Sequence, residues 1–150
     1  VEVHRFEVGG VDGEAVELGG LKLTAHLTPG HTAGCVSYLW RDRLFCGDLL
    51  SVDACPHQLW PALPEALWDS ATRQVFTLPG ETLLFCSHAP QGRAVSSVLE
   101  QRRWHPWFGG STRDEFLARV RKSTADGDDP PRVALPACPK PPTQPDLINT

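Results

Sequence analysis

The stretch Leu21-Lys22-Leu23-Thr24-Ala25-His26-Leu27 alternates apolar and polar residues. A period of two describes a β-strand with one buried face. The pairs Gly9-Gly10, Asp12-Gly13 and Gly19-Gly20 punctuate the sequence before it, so residues 1–27 read as strands joined by tight turns. Residues 35–40 and 43–48 form a further predicted hairpin around Arg41-Asp42. A chain that opens this way is committed to a sheet, and the later segments must supply its cover. Residues 61–76 can hold a helix starting at Pro64, where proline suits the first helical position. Residues 82–86, "TLLFC", read as a short buried strand ending at Ser87-His88. Between Gly92 and Arg103, Ala94, Val95, Val98 and Leu99 recur at helical spacing until Pro106 stops the pattern. Thr112 and Glu115 have the spacing of a capping box ahead of "FLARVRK", which predicts a helix over 112–122. Strands followed by helix, strand and two helices indicate an α/β domain with helices covering one face of a sheet.

Composition bounds the rest. The 150 residues, 41% of them hydrophobic, fit one globular domain. Seven of the 14 prolines lie between Pro130 and Pro145. The division is therefore a folded part over 1–127 and a Pro-rich tail over 128–150, an extended strap or unstructured end that can hold no regular helix or central strand. No apolar run approaches the roughly 20 residues of a membrane span. The start, "VEVHRFEV", lacks the basic and apolar regions of a signal peptide. The chain has no methionine, which suggests a processed chain or a fragment. The net charge of -4 is spread along the chain, which argues against a nucleic-acid face. Five cysteines, an odd number without CxxC spacing, do not form a disulfide framework. Cys46 and Cys86 sit inside apolar runs and are expected to pack as small hydrophobes in a reducing compartment, the cytosol or an organelle matrix.

Three residues stand at the ends of strand-like runs: His31 after "LTPG", Asp48 after "LFCG" and His88 after "LLFCS". Loops at strand ends carry chemistry in α/β proteins because the sheet fixes their position. Imidazole and carboxylate are natural ligands for zinc or iron. Taken singly, a His or Asp in a loop is usually a turn or cap residue, and spacings of 17 and 40 residues match no compact metal motif. A catalytic metal site takes about three protein ligands and an open position, a number that His31, Asp48 and His88 just supply.

The segments "TPGHTAGCVSYL", "LFCGDLL" and "FTLPGETLLFCSHAPQGRAVSSVLEQRRWHP" resemble the second half of the metallo-β-lactamase superfold. Within it they are most similar to the persulfide dioxygenases, which oxidise glutathione persulfide with one iron. The glyoxalase II enzymes, two-metal hydrolases of acyl-glutathione thioesters, are the neighbouring branch. The resemblance covers roughly residues 14–122. It implies the C-terminal half of an αββα sandwich, with one mixed β-sheet covered by helices. It implies His31 and Asp48 as metal ligands, and His88 as the last ligand in two-metal members or a neighbour of the iron in one-iron members. Fe(II) or Zn(II) is the implied cofactor. A small thiol such as glutathione persulfide is the implied substrate, in the cytoplasm or the mitochondrial matrix.

The departures shape what to expect of this chain. The superfold's His-x-His-x-Asp-His motif is absent, since His4 and His26 stand alone. Relatives follow the Gly-Asp with a Gly-Cys-Gly-Arg segment whose Arg helps hold glutathione. Here Cys55 falls at the Cys position and His57 at the Arg position, as the substrate-binding candidate, and a neutral imidazole does not reproduce a bidentate guanidinium grip. Relatives carry Asp-Tyr where this chain has Ala89-Pro90. Three readings follow. The chain is part of an enzyme, inactive or incomplete alone, whose missing N-terminal half or a second copy completes the site. It is a glyoxalase II-like thioester hydrolase. Or it is a non-catalytic descendant that binds a partner through an uncovered sheet face. A fourth arrangement is a metal module of another kind, using His31, Asp48, His88 and either Cys55 or His57; Asp53, Cys55 and His57 alternate and would share one side of an extended segment.

Overall fold

A computed structural model of the chain describes residues 12–52, 61–89 and 92–125. The expectations for the tail and for His4, Asp53, Cys55, His57 and Pro90 lie outside these residues.

Six strands form one mixed sheet in chain order: β1 (Glu14–Leu18), β2 (Leu21–Leu27), β3 (Val36–Trp40), β4 (Arg43–Gly47), β5 (Leu83–Cys86) and β6 (Val95–Ser97). Neighbours are antiparallel except β4 and β5, which run parallel. The β1–β2 turn is the two-residue Gly19-Gly20 loop, with φ of 54° and 81°. Both values belong to a turn whose twist matches that of the strands it joins, and glycine reaches them without steric cost. Helices α1 (Pro64–Asp69), α2 (Val98–Trp104) and α3 (Arg113–Ala125) follow the topology predicted for them. Proline opens α1 as expected. The capping box of α3 is complete: Glu115 N donates to Thr112 Oγ1 at 3.3 Å, and Thr112 N donates to Glu115 Oε2 at 2.7 Å. The bonds from Thr112 N and from Thr112 Oγ1 to the carboxylate hold the Glu115 carboxyl below its usual range.

Two details depart from the sequence reading. Residues 70–75 continue α1 as a π-helical turn, in which Phe76 N bonds to Ala71 O at 2.9 Å. The residues around Val95 form β6 rather than the start of a helix. Ser97 is the reason the helix waits: it is the N-cap, its side chain accepting from Glu100 N at 3.2 Å. Before that cap, Val95 pairs with Phe85 across the sheet edge.

Register assigns the two faces. Leu39, Leu44, Leu84 and Ser96 stand in one row across β3 to β6. The helices lie over this row. Leu44 and Leu84 are buried with Leu67 and Ala71, Val75, Val98, Phe116 and Val120. The rings of Trp68 and Phe108 pack on Phe116 at 5.4 and 4.9 Å between centroids. The alternate row is Tyr38, Phe45, Phe85 and Val95. It lies on the opposite face. There Phe45 stacks on Phe85 at 5.0 Å, and Phe45 and Val95 remain 38% and 39% exposed. One sheet face is thus sealed by helices and the other presents aromatic and aliphatic surface.

Candidate functional site

β2 and β3 are antiparallel, as are β3 and β4, so β2, β4 and β5 all point the same way. Their carboxyl ends share one edge of the sheet, and the three sequence candidates follow those ends: His31 after β2, Asp48 after β4, His88 after β5. The structure brings them together around the Asp48 carboxylate. His88 Nδ1 lies 2.8 Å from Asp48 Oδ1, and His31 Nδ1 lies 3.9 Å from Oδ2. The Ser87 hydroxyl also donates to Oδ1. All three side chains are about one-third exposed, at 34%, 35% and 37% for His31, Asp48 and His88. The site therefore opens to solvent. Ser87 was not a sequence candidate; its position beside His88 was the only signal for it.

The backbone beneath His31 is tightly held. Thr28 N donates to Cys35 O at 2.9 Å and closes the 28–35 loop. Leu63 N donates to Gly30 O at 3.0 Å, and Ala62 N to His31 O at 3.1 Å. Ser70 Oγ donates to Pro29 O at 2.7 Å, which ties the loop to the π-helical turn. Next to His31, the Cys35 thiol stands 3.9 Å from its Nδ1 and contacts Thr32 Oγ1 at 3.1 Å.

The loop after Asp48 is fixed from below by His105, the residue that ends α2. His105 is 1% exposed. Its Nε2 donates to Ser51 O at 2.9 Å, and its Nδ1 accepts from Trp107 N at 3.1 Å. Both ring nitrogens are satisfied only in the neutral tautomer. Burial lowers its pKa from 6.5 to about 4, against the smaller opposing effect of the bond to Ser51. The unfolded chain takes up this proton first as pH falls. Stability from this group is therefore complete above pH 6.5 and lost as pH drops toward 4. The loss amounts to about 3 kcal/mol. Urea unfolding of the wild type at pH 7 and pH 4.5 is expected to show that slope, and His105→Asn is expected to flatten it.

Among the described residues, no group of three or more His, Cys, Asp or Glu is arranged to hold a metal ion. The chemistry of the three donors suits a divalent cation, but Asp48 Oδ1 is occupied by Ser87 and His88, and His31 faces the other oxygen. The described donors are a partial set. His57, the substrate-binding candidate, lies outside the described residues. Among the described residues no helix is long and apolar enough to cross a membrane.

The model of the metallo-beta-lactamase superfamily matches residues 1–88. Over 98 residues the chain is 35% identical to the mitochondrial persulfide dioxygenase ETHE1 of Bos taurus, which covers 63% of this chain and 39% of the relative. Over 83 residues it is 40% identical to a hydroxyacylglutathione hydrolase-like protein of Mus musculus, covering 51% of this chain and 29% of that one. The crystal structure of ETHE1 from Myxococcus xanthus superposes with a TM-score of 0.68 at 36% identity, covering 76% of this chain and 51% of that chain. The chain thus spans well under two-thirds of the length of the relatives it matches.

Proposed function

Because the chain belongs to the metallo-β-lactamase superfamily, we propose that it carries one share of a metal centre, with His31 and Asp48 as ligands of Fe(II) or Zn(II) and His88 beside them. The observation that carries this reading is the convergence of both imidazoles on the Asp48 carboxylate, at 2.8 and 3.9 Å, from three separate strand ends. Turn and cap residues have no reason to meet there. The remaining donors come from outside the described residues, so no reaction step is assigned to these side chains alone.

The chain resembles persulfide dioxygenases and hydroxyacylglutathione hydrolases, and the activity we propose for the assembled protein is the first of these, on a small thiol-derived substrate such as glutathione persulfide. The longer stretch of similarity to the dioxygenases supports that order. The chain has Ala89-Pro90 where relatives carry Asp-Tyr, so its substrate contacts differ from theirs at this point. The open sheet face belongs to the same reading. Phe45 and Val95 lie beside Phe85, and such a surface requires a cover, either a second sheet from the rest of the protein or a second copy.

The test is a pair of assays on the purified chain loaded with Fe(II) or Zn(II). Oxygen uptake with glutathione persulfide, abolished by Asp48→Asn, supports the dioxygenase reading. Thioester hydrolysis lost in the same variant supports the hydrolase instead. Metal bound through Asp48 without turnover makes the chain a partial site. Turnover that Asp48→Asn leaves unchanged refutes the assignment.

A further inference from the structure

β4 and β5 lie side by side, and each carries a cysteine where it approaches the site. Cys46 Sγ and Cys86 Sγ are 3.6 Å apart. A register shift between Phe45 and Gly47 leaves Cys86 paired with Gly47, so Cys46 occupies the irregular position of the ladder. The extra residue at such an irregularity re-aims its side chain, and here the thiol is directed at its neighbour. Cys46 Sγ also lies 3.4 Å from Phe85 O and 3.8 Å from Leu50 O, so it has carbonyl acceptors within the protein. Cys46 is 3% exposed, whereas Cys86 is half-buried. Of the two residues, Cys86 is the more exposed.

We propose that Cys46 and Cys86 form a reversible disulfide across the parallel strands, made by a small hydroperoxide. In the first step the Cys86 sulfur attacks one oxygen of the peroxide. The O–O bond breaks, the other oxygen leaves with a proton as water or an alcohol, and Cys86 becomes a sulfenic acid. In the second step the Cys46 sulfur attacks the Cys86 sulfur, the S–O bond breaks and water leaves with the Cys46 proton. The two thiols lose two electrons and the peroxide gains them. Closure needs the sulfurs to move from 3.6 Å to about 2 Å. Asp48 and His88 each lie two residues beyond a member of the pair, so the cross-link fixes the separation of the strand ends that bear them. The disulfide does not depend on the metal reading, which fails or stands on other evidence.

The experiment exposes the purified full chain to hydrogen peroxide and maps its cysteine peptides by mass spectrometry. A variant with Cys35→Ser, Cys55→Ser and Cys138→Ser, which keeps only the pair, is treated in parallel. The expected product is a Cys46–Cys86 cross-linked peptide that dithiothreitol releases. The oxidised chain is expected to melt roughly 5–15 °C higher than the reduced one. In Cys46→Ala, Cys86 is expected to stop at the sulfenic acid, trapped by a dimedone probe. If the triple variant does not fold, the wild-type peptide map decides alone. Two free thiols after treatment of the folded chain, or Cys86 carried to the sulfinic acid with no cross-link, overturn the proposal.

Discussion

Gly30→Ala is expected to unseat His31 and to destabilise the chain by at least about 3 kcal/mol. A Cβ at Gly30 would lie 2.4 Å from Leu67 Cα, 2.6 Å from its Cβ and 2.8 Å from its N. These are atoms of the α1 backbone and its first side-chain carbon, not the end of a flexible side chain, so the helix itself must move. Leu67 is 1% exposed and sits in the core, which makes that movement expensive. The φ of Gly30, 154°, adds a conformation that alanine rarely adopts. The loop also loses its two bonds to the start of α1, Leu63 N to Gly30 O and Ala62 N to His31 O. Urea unfolding measures the cost. Gly19→Ala is the comparison: its φ is also positive, at 54°, but nothing lies within 4 Å of the added carbon. It is expected to cost about 1 kcal/mol. Equal losses in the two variants would show that backbone strain alone, and not the Leu67 collision, governs Gly30.

Phe116→Ala is the other large effect, about 3–5 kcal/mol. Phe116 is fully buried on α3. Its ring stacks on Phe108 at 4.9 Å and tilts against Trp68 at 5.4 Å. Removing it leaves a cavity bounded by two large rings that cannot collapse without losing their own contacts. Trp68 follows Leu67 directly, so loosening the aromatic cluster also loosens the residue that backs Gly30. The variant is expected to lower the urea midpoint with little change in its slope. Tryptophan emission is expected to shift to the red before the sheet unfolds. Phe116→Leu, which keeps most of the volume, is expected to recover at least half of the loss. A cost below 1 kcal/mol would mean that α3 does not seal this core.

Much of this was legible in the residues because the signals were local. Alternation in Leu21–Leu27, the Gly19-Gly20 turn, Pro64 at a helix start and the Thr112–Glu115 box each act within a few residues, and each structural outcome follows from them. The three site candidates were visible for the same reason: each ends an apolar run. What the residues did not carry was distance between runs. Ser87 joins Asp48 only because β4 and β5 are parallel neighbours. His105 reads as a helix end in sequence, and its burial follows from the packing of Phe108 and the Ser51 loop around it. β6 was hidden because Val95 keeps helical spacing with Val98 and Leu99, and the Ser97 cap alone separates strand from helix. The π-helical turn has no sequence signature of its own.

The central claim is that His31 and Asp48 bind a metal. Elemental analysis of the purified chain, run on the wild type, His31→Ala and Asp48→Asn with light scattering to give mass, tests it most directly. Iron or zinc is expected at a fixed ratio to the chain or its oligomer, lost in both variants while their folds and masses are kept. Metal retained in both variants, or a well-folded wild type that takes up neither ion when either is supplied, would contradict it.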